Sequence, residues 1–152
     1  MNNLKITKKW FDGKLSSQEE LADAHFVRRQ VFMLEQNVSE EEEMIRDEDI
    51  NSHHLVFYSN DEPIATGRIL FKSSQVFLGR IAVLKQFRGC GIGLKLTQEL
   101  INKTNQLGVQ TLHIHSQTYA LDFYKKLGFE PFGEEFLDAG IKHYNMKLEI
   151  KQ

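Results

Sequence analysis

Three glycines stand at alternate positions, Gly89, Gly91 and Gly93, between an apolar run ending at Val83 and a segment of helical periodicity. Glycine lets a chain turn sharply and approach a ligand closely. The amides that open the following helix then point into one space, where the helix dipole favours an anion such as a pyrophosphate. A phosphate loop of the Walker kind requires Gly-Lys-Ser/Thr, and Gly93-Leu94-Lys95-Leu96 lacks it. A dinucleotide fingerprint requires a glycine three residues after the second one, and that position is Leu94. Both failures count against a nucleotide-binding protein. By itself the loop is also compatible with a tight turn that holds nothing.

Other side chains carry chemistry. Tyr124 supplies a weak acid. Glu35 follows an apolar helix face, and one of the adjacent His53 and His54 must point inward from a strand. His113 and His115 share a strand face, a spacing that chelates zinc if His143 or Asp138 adds a third ligand. No second ligand pair is evident, so no metal is expected. Cys90 lies at a helix start, where a thiolate is favoured, but inside the glycine loop. The acidic run Glu40 to Glu43, with Asp47, Glu48 and Asp49, either attracts a cationic amine or forms a solvated face, and it reads as the latter. Phe32, Phe57, Phe71 and Phe77 read as core.

The elements that must position these groups are legible from periodicity. Leu4 to Phe11 alternates as a strand. Ser16 with Glu19 and Ser17 with Glu20 form overlapping capping boxes, after which Leu21, Ala24, Val27, Val31 and Leu34 recur at helical spacing. Ser39 with Glu42 caps a short acidic helix. Strands at His54 to Tyr58, Ile64 to Phe71 and Gln75 to Val83 are joined by the turns Asn60-Asp61-Glu62-Pro63 and Lys72-Ser73-Ser74, as an antiparallel meander. A helix runs from the glycine loop to about Leu107, with Gly108 as its stop. Then come a strand at Thr111 to His115, a short helix at Ala120 to Leu127, and strands at Glu130 to Phe136 and Ile141 to Glu149. The pattern is mixed α/β, with the strand after the glycine-loop helix expected parallel to the one before it.

The chain's 152 residues are enough for one domain with a sizeable core, and a single domain over 1–152 is expected. Its net charge of −2 gives no electrostatic case for nucleic acid. With Cys90 the only cysteine, no internal disulfide is possible. Met1 to Lys14 lacks an apolar stretch of signal-peptide length, and no window approaches the ~20 apolar residues of a membrane helix. A cytoplasmic location without membrane association is the expectation.

Arg88-x-x-Gly91-x-Gly93 after an apolar strand resembles the acyl-CoA signature of the GNAT (Gcn5-related N-acetyltransferase) superfamily. Ala120-x-x-Phe123-Tyr124-x-x-Leu127-Gly128-Phe129 resembles that family's later short helix and its Gly-Phe exit. Arg28-x-x-Val31-Phe32-x-x-Glu35-Gln36, Asp49, His53-His54 and Gly140-Ile141-x-His143 are similar to the ElaA-like set of small bacterial members. The resemblance implies a mixed, mostly antiparallel sheet flanked by helices, and transfer of an acetyl group from acetyl-CoA to a primary amine. It implies that the pantetheine arm pairs with Ile81, Ala82 and Val83, with the Val83 N–H as oxyanion donor. The pyrophosphate would be held by the amides of Arg88, Gly89, Cys90, Gly91, Ile92, Gly93 and Leu94. Gln117, standing where many relatives have Asn, and Phe123 would touch the cofactor, and Tyr124 would be the general acid. Glu35, His115 and His54 are the candidate bases; Glu35, Gln36 and His54 are expected at the acceptor. Homodimers are common in this fold class. An acyl-CoA-binding sensor without turnover would share the same loop.

Overall fold

The computed structural model describes residues 4–43 and 46–150, with only the backbone given at 42 and 46. Seven strands form one sheet in the order β1-β2-β3-β4-β5-β7-β6. Strand β1 (Ile6–Asp12) leads to a helix whose start carries the Ser17 capping box. Glu20 N–H donates to Ser17 Oγ (3.2 Å) and Ser17 N–H to Glu20 Oε1 (2.9 Å), so of the two overlapping boxes this one closes reciprocally. Helix α1 (Ala22–Arg28) continues as a π-helical stretch, Arg29–Glu35. The wider turn shifts the phase of the apolar stripe. Ala24, Val27 and Val31 stay buried, but Leu34, expected on the same face, is 69% exposed.

Two short helices follow, α2 (Glu40–Glu43) and α3 (Arg46–Ile50). The expected capping contact of Ser39 with the Glu42 side chain lies outside the described residues. Strands β2 (Ser52–Ser59), β3 (Glu62–Lys72) and β4 (Gln75–Val83) make the expected antiparallel meander. Helix α4 (Ile92–Gln106) crosses to β5 (Thr111–Gln117), which runs parallel to β4. After α5 (Leu121–Lys126), β6 (Glu130–Asp138) forms the sheet edge and β7 (Ile141–Glu149) lies between it and β5.

The central strands are buried on both faces, and β2 carries a continuous apolar run from Leu55 to Tyr58, whereas the buried stretch of β3 includes Thr66, Gly67 and Arg68. On one face Leu55, Phe57, Leu78, Leu112 and Met146 pack beneath Leu96 and Leu100 of α4. Gly67 makes that contact possible, because a Cβ there would lie 2.7 Å from Leu100 Cδ1. On the other face Val27 and Val31 of the first helix pack on Ala82 and Leu84.

Two irregularities of β4 shape the molecule. Thr66 pairs with Ala82 but Arg68 with Gly79, so β4 carries one extra residue, a β-bulge at which Arg80 takes φ +48°. Beside it, β4 pairs with β5 only over Val76, Phe77 and Leu78, while β5 continues to Gln117 against β7. Beyond Leu78 the two strands part, and the sheet opens into a cleft.

Candidate active site

The split between β4 and β5 opens a cavity of about 820 Å³. One end is built mostly of backbone. Gly89 (φ +81°) and Gly91 (φ +79°) take left-handed conformations, and Gly91 is the residue before α4. A Cβ at either would meet open space, so backbone conformation rather than crowding demands glycine there. At Gly93 a Cβ would sit in ordinary contact, 3.7 Å from Val83 Cγ2. Lys95 N–H closes the first helical turn on Gly91 O (3.1 Å), leaving the preceding helical amides without intrahelical acceptors. Such donors together with the helix dipole suit an anion, which makes this turn a candidate anion cradle.

The free edge of β4 runs towards that cradle. Leu84 N–H is given to Ile64 O of β3 (2.9 Å). Successive peptide groups of a strand point to opposite edges, so the Val83 N–H faces the cleft. The Val83 carbonyl, on the same edge, accepts from Arg88 Nε (2.9 Å). The Arg88 fork then grips both carboxylate oxygens of Glu35, at 2.9 and 2.6 Å. Opposite, α5 presents Phe123 and Tyr124. Tyr124 is 8% exposed and boxed edge-on by Phe123 and Phe129. Burial pushes its phenol above the ordinary value, so the proton stays on oxygen at neutral pH.

The other end of the cavity is built of side chains. Phe32 and Gln36, from the π-helical wall and the residue after it, face Phe77 and Arg80 of β4, with Arg80 over the Phe32 ring at 5.9 Å. Gln117 and Gln36 exchange amide hydrogen bonds (3.0 and 3.5 Å), tying β5 to that wall. Behind it lies a buried ionic cluster. Asp49 accepts from Arg28 Nη1 (2.7 Å) and Arg68 Nη1 (2.8 Å) and meets His25 Nε2 at 3.3 Å. Glu43 accepts from Arg28 Nε, and Glu48 from Arg68 (2.9 Å) and Lys72 (2.9 Å). Despite the cost of burial, the Asp49 carboxyl is held far below its usual range by His25 and the two guanidiniums. Arg68 is pulled down to about 10 by burial and by Arg28 and Arg80. Glu43, Glu48 and Arg68 line the cavity itself.

Of the expected residues, Ile81, Ala82, Val83, Gln117, Phe123 and Tyr124 line this one space. So do Arg88, Gly89, Gly91, Ile92, Gly93 and Leu94, with Gln36 and His115 on the far side. Three do not. Cys90 is exposed outside the cavity, its Sγ 3.8 Å from Arg88 O. Glu35 stands outside as the partner of Arg88, which lowers its carboxyl. His54 is 1% exposed and its Nε2–H donates to Asp49 O (2.9 Å); burial lowers it to about 4 and keeps it neutral.

The acidic run is a solvated face only in part: Glu40, Glu41 and Asp47 are exposed, but Glu43 and Asp49 are buried against arginines. Of the four phenylalanines read as core, Phe57 is core, Phe71 is 38% exposed, and Phe32 and Phe77 line the cavity. Sequence reasoning missed Glu43, Glu48, Arg68 and Arg80 as cavity residues. The one available signal was three arginines and several carboxylates close to strands that bury both faces. His113 and His115 pack on Phe77 rather than around a common point, and among the described residues no metal-binding group of three side chains occurs. Among the same residues no helix is long and apolar enough to cross a membrane.

Known proteins share this arrangement. The acetyltransferase (GNAT) domain family model matches residues 15–150. An uncharacterized N-acetyltransferase, YjcF of Bacillus subtilis, is 40% identical over 131 residues, covering 86% of this chain and 93% of its own. The crystal structure of Escherichia coli ElaA superposes with a TM-score of 0.84 at 26% identity, over 95% of this chain and 100% of that one. The PaiA N-acetyltransferase of Thermoplasma acidophilum, solved in complex with coenzyme A, has the same fold (TM-score 0.68, 16% identity, 95% and 99% covered). On the family match and the Bacillus relative, this chain belongs to the acetyltransferase (GNAT) domain family.

Proposed function

We propose that the protein transfers an acetyl group from acetyl-CoA to a primary amine by direct attack of the amine on the thioester. The observation that carries this reading is the parting of β4 from β5 beside a glycine turn. It offers an unpaired strand edge for an extended amide-bearing arm and, at its end, a helix N-terminus for a pyrophosphate. The coenzyme A complex of the Thermoplasma protein, in the same fold, supports the choice of acyl-CoA as donor.

In this reading the cradle at Gly89 to Leu94 and the edge of β4 hold the donor, so that its thioester meets the Val83 N–H. That amide stabilises the oxyanion as the amine nitrogen bonds to the carbonyl carbon. Tyr124 gives its phenolic proton to sulfur as the C–S bond breaks. The phenol is protonated at neutral pH, which is the form a general acid requires. The cavity holds the two reactants together, which converts a bimolecular encounter into a step within one complex. Arg88 holds Glu35 and the Val83 carbonyl, and so fixes the π-helical wall to the loop.

The test is Tyr124→Phe. Turnover of acetyl-CoA with an amine acceptor is expected to fall by about 10²-fold, while acetyl-CoA affinity stays within about twofold. Unchanged turnover would remove Tyr124 from the acid role. Binding of acetyl-CoA with no transfer to any amine, in the wild-type protein, would favour an acyl-CoA sensor.

A further inference from the structure

We infer that His143, and not His115, is the general base that takes the proton from the attacking amine. The inference rests on the acetyl-transfer reading above. His143 lies on β7 directly opposite Gln117 of β5, so the two side chains share a sheet face at the open end of the split. It lines the same cavity as Tyr124 and is 8% exposed.

Its ring is prepared for that role. Nδ1 lies 2.7 Å from the Ile141 carbonyl oxygen. A carbonyl oxygen only accepts, so Nδ1 carries the hydrogen and the neutral ring keeps its lone pair on Nε2. Among the described residues Nε2 has no hydrogen-bond partner. Phe136 stacks on the ring, with centroids 5.7 Å apart and planes 25° apart, which limits its rotation. Such a bond on one nitrogen fixes which nitrogen does chemistry.

His115 lacks these constraints. It lines the cavity too, but it is exposed and meets Phe77 and Phe136 only edge-on. Among the described residues neither of its ring nitrogens has a hydrogen-bond partner to fix a tautomer. Glu35 and His54 are outside the cavity, the first held by Arg88 and the second by the Asp49 carbonyl.

The proton balance is complete. A neutral amine attacks, its nitrogen bonds to the carbonyl carbon, and that nitrogen becomes positive. His143 Nε2 takes one proton from it. The C–S bond breaks with its electron pair on sulfur, which receives the Tyr124 proton. The imidazolium then returns its proton through solvent to the tyrosine oxygen. Amine and thioester become amide and thiol, with no other reactant.

The experiment uses the whole chain, acetyl-CoA, and ethylamine as a small acceptor probe. His143→Gln and His143→Ala are expected to bind acetyl-CoA within about twofold of wild type in calorimetry. Their kcat should fall by about 10²-fold or more with KM for acetyl-CoA unchanged. Added imidazole should restore part of the rate to His143→Ala but none to Tyr124→Phe. His115→Gln should lose no more than about threefold, a range outside what a general base contributes. Independently of turnover, ring 15N NMR should show His143 as the Nδ1–H form. Retained kcat in His143→Gln, loss of rate in His115→Gln instead, or an Nε2–H ring at His143 would each overturn the assignment. If ethylamine is not turned over by wild type, the NMR result decides. Failure of wild type to bind acetyl-CoA would fell the acetyl-transfer reading itself, and this inference with it.

Discussion

The two ends of the cavity are made from different materials. The end at α4 is backbone: amides at a helix start, two glycines with positive φ, and the open edge of a strand. The far end is side chains: Phe32, Gln36, Glu43 and Arg68 line it, and behind them Arg28 and Asp49 join Glu43 and Arg68 across 15 to 21 positions of sequence. A backbone site tolerates many side chains but demands glycine at fixed spacing. A side-chain site demands particular charges but no local spacing. On the proposed reading, the first kind would serve the acyl-CoA donor and the second could vary with the acceptor.

Breaking the side-chain end is expected to have the largest effect. Asp49→Asn leaves Arg28 and Arg68 buried without their shared carboxylate. Loss of one partner from a buried ionic cluster typically costs about 3–5 kcal/mol. Urea unfolding measures this, and a loss below about 1 kcal/mol would show that the cluster is dispensable to the fold.

The next effect sharpens the same contrast through pH. His54 is neutral in the folded protein, at about 4 against an ordinary 6.5. The unfolded chain therefore takes up a proton at a higher pH than the folded one. Its contribution is intact above pH 6.5 and is lost as pH falls towards 4, by roughly 3 kcal/mol in all. Asp49, depressed instead, contributes above the ordinary carboxylate range and weakens only below it. Unfolding free energy measured from pH 7 to 4 should decline in wild type and flatten in His54→Gln. An equal decline in the variant would assign the slope to another group.

The smallest effects belong to the backbone end. Gly91→Ala must hold a Cβ at φ +79°, and about 1–2 kcal/mol of stability should be lost. Acetyl-CoA affinity should weaken with it. Gly93→Ala places its Cβ in ordinary contact with Val83 and removes a helical glycine, so stability should change by no more than about 1 kcal/mol. Thermal unfolding and calorimetry of the pair separate them, and equal losses would mean that conformation is not what the loop requires.

This contrast explains what the sequence disclosed. The meander, the crossover and the glycine turn were legible because each is written in neighbouring residues. Strands β4 and β7 stand where their patterns ended, at Gln75–Val83 and Ile141–Glu149. Tyr124 was legible through its motif, and it lines the cavity. The π-helical stretch was not, because a switch from one helical period to another leaves each residue's propensity unchanged, and it turned Leu34 outward. The ionic cluster was not, because a run of carboxylates carries no record of the distant arginines that bury it. Glu35 looked like a base from its helix face alone, whereas its partner Arg88 lies 53 positions away. His143 was noted only as a metal ligand or motif residue, because the bond that fixes its ring depends on how β7 starts.

Calorimetric titration of the full chain with acetyl-CoA, with ATP and NAD as controls, tests the central claim most directly. One acetyl-CoA per chain, with no comparable heat from ATP or NAD, is the predicted result. A folded protein that ignores acetyl-CoA, or prefers either nucleotide, would contradict it.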